Sequence, residues 1–364
     1  KHGYSDYLSL QDISDLSKHF QRRASLLVHL GLPPSLIRNR SLIEFGPGGG
    51  HNSVFFASLK PKRYVIVEKN PTALKSVRKF AKDFPPIETE IVESFIEEFN
   101  SSEKFDLVIC EGVIPFQKKP AKMLQHISKF VAPGGIIVTT CADSVSYLSD
   151  TLRRIIGQAL IDRAQPIEKQ VLSLIPVFKD HFSNLKGMSR PITDWIQDNV
   201  LQPFYGEFFS IQEAIQSIQE DFDVYQSSPD FFVDWRWYKD LFGNQRERNE
   251  LAVNQYLGNL HNLLDYRYTF SPRPESSNEG LQTAGQELFD ISNEYKPSLL
   301  KKVDRIIAKL APLVNEFSPD THQAIKDYSK GIRKILQGEK NPDFSSFRKF
   351  FGRGQQYLSF IKKV

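Results

Sequence analysis

The sequence predicts an α/β protein: a mostly parallel sheet with helices on both faces, plus a helical insertion and a C-terminal helical region. Three observations carry that expectation. Between residues 41 and 141, short runs of continuous apolar character alternate with stretches of helical period, the pattern of strands covered on both faces. One run ends abruptly in glycines at 46–50. After Thr140 the alternation stops and helical periodicity takes over.

With 364 residues, 40% apolar and 25% charged, the chain is long enough for two domains or one enlarged domain. A net charge of +4 is too small to define a nucleic-acid binder. Only Cys110 and Cys141 occur, which excludes a disulfide-built scaffold and leaves two buried thiols as the expectation. No apolar run approaches the roughly 20 residues of a membrane span, and the opening residues lack the apolar stretch of a signal peptide. These features lead us to expect a soluble cytoplasmic protein. The basic character is local: residues 331–364 hold eight Lys/Arg against Glu339 and Asp343, a net of +6.

In chain order, residues 1–40 read as an N-terminal helical lid. Ser9 is placed to cap a helix whose Ile13, Leu16, Phe20, Leu27 and Leu30 recur at helical spacing before Gly31 and Pro33-Pro34. Strands are expected at 41–45, 63–67, 105–110 and 135–140, with helices over 72–83 and 118–131, inside a core spanning 41–143. Residues 144–204 form a helical insertion, with Leu148, Leu152, Ile155, Ile156 and Leu160 on one face. A short helix at 211–219 follows. Strand-like composition returns at 222–225 and 231–237, so 205–243 is expected to complete the sheet. Residues 244–364 read as a C-terminal helical region with a basic tail, interrupted by a polar loop at 271–280.

The strongest chemical signal is Ile43-Glu-Phe-Gly-Pro-Gly-Gly-Gly-His51. Glycines at 46, 48 and 50 let the backbone turn sharply and let a ligand lie against main chain, while the following helix offers free N–H groups. A dinucleotide fingerprint needs Gly-x-Gly-x-x-Gly. Registered on Gly46 or on Gly48, its third glycine falls on His51 or Ser53, so both registers fail.

This segment resembles the first motif of class I S-adenosylmethionine-dependent methyltransferases, a Rossmann-like superfamily, and later landmarks follow in the family's order. Glu68 stands 18 positions beyond Gly50, where the family's acid binds the ribose hydroxyls, chemistry suited to an acceptor-only carboxylate. Glu93-Ser94-Phe95 occupies the place of the adenine-contacting segment. Phe105 to Glu111 resembles the fourth strand and its tip, and Val131 to Val138 the turn and fifth strand. The resemblance covers roughly 41–141. It implies S-adenosyl-L-methionine as cofactor, held by Glu44, Gly46, Gly48, Gly50, Glu68, Ser94, Phe95 and Glu111. Glu44 would either cap the loop amides or meet the methionine amino group.

What the resemblance implies about the reaction is methyl transfer to an oxygen or nitrogen, with the hard chemistry residing in the cofactor. The fourth-strand tip reads Glu111-Gly-Val-Ile-Pro-Phe116, unlike the Asp/Asn-Pro-Pro-aromatic box of enzymes that methylate DNA bases or glutamine. Glu111 either touches the substrate or caps a helix. No metal site is expected. Candidate bases are His51, directly after the glycine loop, Glu111, and His261, one helical turn from Asp265. Tyr4 and Tyr7 are placed to fold over the cofactor, and the aromatic run 231–238 either walls the substrate or buries the sheet edge. In the tail, Phe344, Phe347, Phe350 and Phe351 among basic residues suit either RNA or an anionic membrane, or an amphipathic helix docked on the core, the reading adopted. Helices after the fifth strand favour a small or medium-sized acceptor. The rivals are an RNA methyltransferase using the basic tail, a non-catalytic cofactor-binding scaffold, and aminopropyl transfer.

Overall fold

The computed structural model describes residues 11–83, 87–202 and 204–364. Seven strands form one sheet: β1 (Ser41–Phe45), β2 (Arg63–Glu68), β3 (Glu88–Glu93), β4 (Phe105–Cys110), β5 (Val131–Cys141), β6 (Phe222–Ser228) and β7 (Gln356–Lys362). Their order is β3-β2-β1-β4-β5-β7-β6. The first five are parallel, with Ile43 opposite Val65 on one side and Val108 on the other. β7 alone runs antiparallel to both its neighbours.

Strand alternation sorts the core into two faces. Leu42, Tyr64, Ile66, Leu107 and Ile109 point to one side, against α1 (Leu16–His29), α2 (His51–Ser58) and α3 (Pro71–Ala81). Ile43, Phe45, Val65, Val67 and Val108 point to the other. There they meet α4 (Pro120–Ser128), which buries Leu124 and Ile127, and the helical segments that follow β5. Asp15 caps α1 by accepting the Lys18 N–H, while Ser9, Tyr4 and Tyr7 lie outside the described residues.

The insertion comprises α5 (Leu148–Leu160), α6 (Ile167–Ser183) and α7 (Ile192–Trp195), which runs on into a π-helical turn at Ile196–Leu201. α8 (Ile211–Ile218) then leads into β6, opened by a capping box in which Ser210 and Glu213 bond each other's backbone. Beyond β6 come α9 (Asn249–Asn259), α10 (Ser276–Asn293), α11 (Leu300–Asn315) and α12 (Pro319–Leu336).

Two expectations are corrected here. Residues 231–237 are not a strand: β6 ends at Ser228, and the segment beyond is irregular, with Trp235 92% exposed. Nor is the basic tail an appendage. Its Phe344, Phe347, Phe350 and Phe351 are buried, around a single 3₁₀ turn rather than an amphipathic helix. Its last residues are β7, lying between β5 and β6. The helices between β6 and β7 are therefore an excursion from the sheet and not a terminal region.

Two buried arginines on α5 tie this excursion to the insertion. The Arg153 guanidinium lies 3.7 Å from the Phe351 ring centroid and donates to the Phe350 carbonyl at 2.7 Å. Arg154 stacks 4.3 Å over Phe204, donates to the Asn199 carbonyl within the insertion, and reaches Asn293 Oδ1 of α10 at 3.5 Å. Burial lowers both, Arg153 to about 9 and Arg154 to about 10. Planar guanidinium groups suit such stacked, carbonyl-rich sites.

Because β7 is internal, removing it leaves β6 without a neighbour and β5 with one edge unpaired. Deleting residues 356–364 should abolish the cooperative thermal transition followed by circular dichroism; a truncated chain that unfolds cooperatively near the full-length temperature would contradict the topology.

Candidate active site

The glycine loop leaves β1 and enters α2 through three left-handed residues: Gly46 (φ +63°), Gly48 (+57°) and Gly50 (+77°). Side-chain-bearing residues resist that conformation. Space is also short, since a Cβ on Gly46 would stand 2.7 Å from Val113 Cγ2. At the end of β2, Glu68 joins this loop. Its Oε1 accepts the N–H groups of Lys69 and Asn70, both at 2.8 Å, and its Oε2 accepts that of Gly48 at 3.2 Å. Burial raises the Glu68 carboxyl above its ordinary value, against the pull of those three N–H groups.

Gly46, Gly48, Glu68, Ser94, Phe95 and Gly112 line one cleft of about 680 Å³ at the carboxyl ends of β1 to β4. That edge is where ligands bind in open α/β sheets. Apolar Ile96, Val113 and Met123 complete the wall. Phe95 is half exposed, with Lys69 Nζ 5.6 Å from its ring centroid. The volume and the mixture of apolar wall, backbone and the carboxylates of Glu68 and Glu97 suit a nucleoside-sized ligand. Among the described residues, no three His, Cys, Asp or Glu side chains gather as a metal site. Cys110 and Cys141 are buried free thiols, raised by burial.

Other expected residues lie elsewhere. Glu44 shares the β1 face of Leu42, away from the cleft, and accepts hydrogen bonds from the Ser53 hydroxyl at 2.6 Å and the Tyr64 hydroxyl. It therefore caps no loop amide, and burial pushes its carboxyl to about 7. Gly50 backs onto α3, where a Cβ would meet Val77 Cγ2 at 3.1 Å. The His51 ring packs against Phe80, with burial lowering its pKa. Glu111 caps no helix and lines no part of the cleft: it accepts from Arg23 of α1 at 2.7 Å and from Asn52 of α2 at 3.1 Å, in a buried ion pair.

His261 does not meet Asp265. α9 ends at Asn259, and a 3₁₀ turn over Leu260–Leu263 breaks the four-residue spacing. His261 faces the Ser271 carbonyl at 3.2 Å, beside Phe270 and Phe317, and burial lowers it to about 4. Asp265 accepts from Arg267 and Thr321. None of the aromatic run 231–238 lines the cleft: Phe232 is buried and Phe231 packs against the core, while Trp235, Trp237 and Tyr238 are exposed. Sequence reasoning missed Arg23 and Asn52, the partners of Glu111. Only Arg23 left a signal, a charge in the apolar stripe formed with Phe20, Leu27 and Leu30.

Residues 43–139, which carry the glycine loop, Glu68 and the parallel strands β1 to β5, match the family model described as a methyltransferase domain. No curated protein matches the chain. It is similar to the solved N-methyltransferase NodS of Bradyrhizobium japonicum WM9, with 20% identity over 36% of this chain and 66% of that one, TM-score 0.29. It is also similar to PKMT2 of Rickettsia typhi, with 19% identity over 65% of this chain and 49% of that one, TM-score 0.40. The chain thus spans under two thirds of NodS and about half of PKMT2.

A carboxyl raised by burial makes stability depend on pH. Glu44 binds its proton more tightly folded than unfolded, so its contribution is complete below pH 4.5 and is lost as pH rises through about 7. Glu44→Gln should gain stability relative to the parent between pH 5 and 8, by up to about 3 kcal/mol. Thermal unfolding across that range checks it, and a pH-independent difference would acquit Glu44.

Proposed function

We propose that this protein transfers a methyl group from S-adenosyl-L-methionine to an oxygen or nitrogen atom of a small or medium-sized molecule. The observation that carries this reading is the junction of Gly48 and Glu68 at the floor of the cleft. Glu68 keeps acceptor lone pairs beyond those its three N–H groups occupy, and these suit the two hydroxyls of a ribose. Gly46 and Gly48 admit the amino-acid end against main chain, and Ser94, Phe95, Ile96 and Met123 offer a largely apolar slot for the base. When bound, the cofactor supplies an electrophilic methyl on a sulfonium; transfer leaves a neutral thioether and releases the acceptor's proton to solvent.

The chain's own contribution is orientation and exclusion of water. None of the three histidine or glutamate candidates lines the cofactor cleft, so the reading assigns the reaction no base. The RNA reading has less support, because Phe344, Phe347, Phe350 and Phe351 are buried and not offered to bases beside the tail's basic side chains. A non-catalytic scaffold is separated from an enzyme by methyl transfer itself, measured with labelled cofactor and fractionated metabolites.

Isothermal titration with S-adenosylhomocysteine should show one site per chain. Glu68→Ala should weaken it about tenfold to a hundredfold, the equivalent of about 1.5–3 kcal/mol for hydrogen bonds to a charged group. Unchanged affinity in a folded Glu68→Ala variant would remove the ribose role.

A further inference from the structure

The chain's charge is concentrated on one helical hairpin. Residues 301–340 carry nine Lys/Arg against five Asp/Glu, a net of +4, which equals the net charge of the whole protein. α11 and α12 hold eight of those nine cations. Each helix buries one apolar face, with Val303, Ile306, Ile307 and Leu310 on α11 and Ala324, Ile325, Tyr328 and Ile332 on α12. Away from that face, Lys301, Arg305 and Lys309 recur every four residues along α11, and Lys326, Lys330 and Arg333 line α12. All six are exposed.

The two rows lie side by side. Asp304 of α11 accepts from the Ser329 hydroxyl at 2.6 Å and from Arg333 Nε at 3.0 Å, and the His322 ring donates to the Ala311 carbonyl at 2.7 Å. These bonds fix an antiparallel register that sets Arg305 beside Lys330 and Lys309 beside Lys326. Successive cations in a row are about 6 Å apart, and packed helices lie about 8–10 Å apart. Like charges so placed repel one another.

Little within the protein offsets that repulsion. Asp304 engages Arg333, and the buried Asp327 engages Lys330 at 3.2 Å. Glu316 faces Arg273 and Asp320 accepts from Tyr268, while Glu339 pairs with Lys334 outside the two rows. Lys301, Arg305, Lys309 and Lys326 form no ion pair among the described residues.

We propose that this face docks on a bilayer surface carrying anionic lipid headgroups. Charge complementarity calls for an anionic partner, and the shape of the face selects a plane. A flat layer of headgroups brings both rows within a Debye length, about 8 Å at physiological salt. A nucleic-acid duplex curves away from one row as it meets the other. No aromatic ring stands among the cations for a base to stack on, since Tyr328 is buried and His322 is turned to Ala311. Of the large apolar side chains on the two helices only Leu336, at the end of α12, is exposed, so the contact is adsorption by charge rather than insertion. Each basic side chain near such a surface is worth about a fivefold gain in partitioning. None of the six lines the cofactor cleft, so the inference does not depend on the methyl-transfer reading.

The full chain is floated with vesicles of phosphatidylcholine alone or with about a third of the lipid replaced by phosphatidylglycerol. It should rise with the anionic vesicles at about 0.05 M salt, stay behind with the neutral ones, and be released at about 0.5 M. Lys301→Gln, Arg305→Gln and Lys309→Gln together should lower partitioning about a hundredfold without lowering the thermal midpoint, because they relieve repulsion. Lys326→Gln with Lys330→Gln on the other row should lower it about twentyfold, which gives a second, independent reading. Lys75→Gln, Lys79→Gln and Lys129→Gln remove the same charge from exposed positions elsewhere and should leave it within about threefold. Flotation with neither vesicle, equal flotation with both, or an equal loss in the distant triple variant overturns the proposal. So does a DNA duplex that, at equal phosphate concentration, strips the chain from anionic vesicles.

Discussion

The backbone pairing of β7 is the constraint on which the rest of this structure depends. An internal strand must satisfy N–H and C=O groups on both edges, and β7 does so against β5 from Ile136 to Cys141 and against β6 from Phe222 to Ser228. Its side chains are equally committed: Leu358 and Phe360 are buried, and the Ser359 hydroxyl donates to the Leu30 carbonyl of α1 at 2.8 Å. Everything between Pro229 and Gln355 leaves and returns to this one seam.

What was legible in the sequence is what local chemistry decides. β1, β2, β4 and β5 are short apolar runs with both faces buried, and the glycine loop needs left-handed backbone whatever surrounds it. Glu68 was found because, closing the second strand, it stands where the family that the glycine loop resembles has its ribose-binding acid. What escaped was decided by remote partners. Gln356-Tyr-Leu-Ser-Phe-Ile-Lys362 carries no pattern that outweighs its basic surroundings, and both its partners lie far back in the chain. Conversely, 231–237 has strand composition but no neighbour to pair with, so propensity alone misled.

The misplaced site residues share a simpler cause. Strand alternation turns Glu44 to the face opposite Ile43, and composition cannot say on which face the cleft opens. Glu111 was taken for a functional tip because Phe105 to Glu111 resembles the family's fourth strand and its tip. Instead, Arg23 of α1 reaches the β4 tip and forms a buried pair, 7% and 8% exposed. Such a pair contributes little net stability, but losing one partner leaves a buried charge and is costly. α1 is thus fastened to the sheet at two places, the Arg23–Glu111 pair and the bond from Ser359.

The late position of β7 in the chain also bears on how the protein comes to exist. A polypeptide emerging from the ribosome presents β6 long before its neighbour in the sheet. At about 5–20 residues per second, translation of the segment between them occupies on the order of ten seconds. During that interval β6 exposes an unpaired edge, the kind of surface that recruits stray strands. Assembly of this half of the sheet must then await synthesis of β7 itself, so an edge open to mispairing persists until the strand that joins β5 to β6 is made.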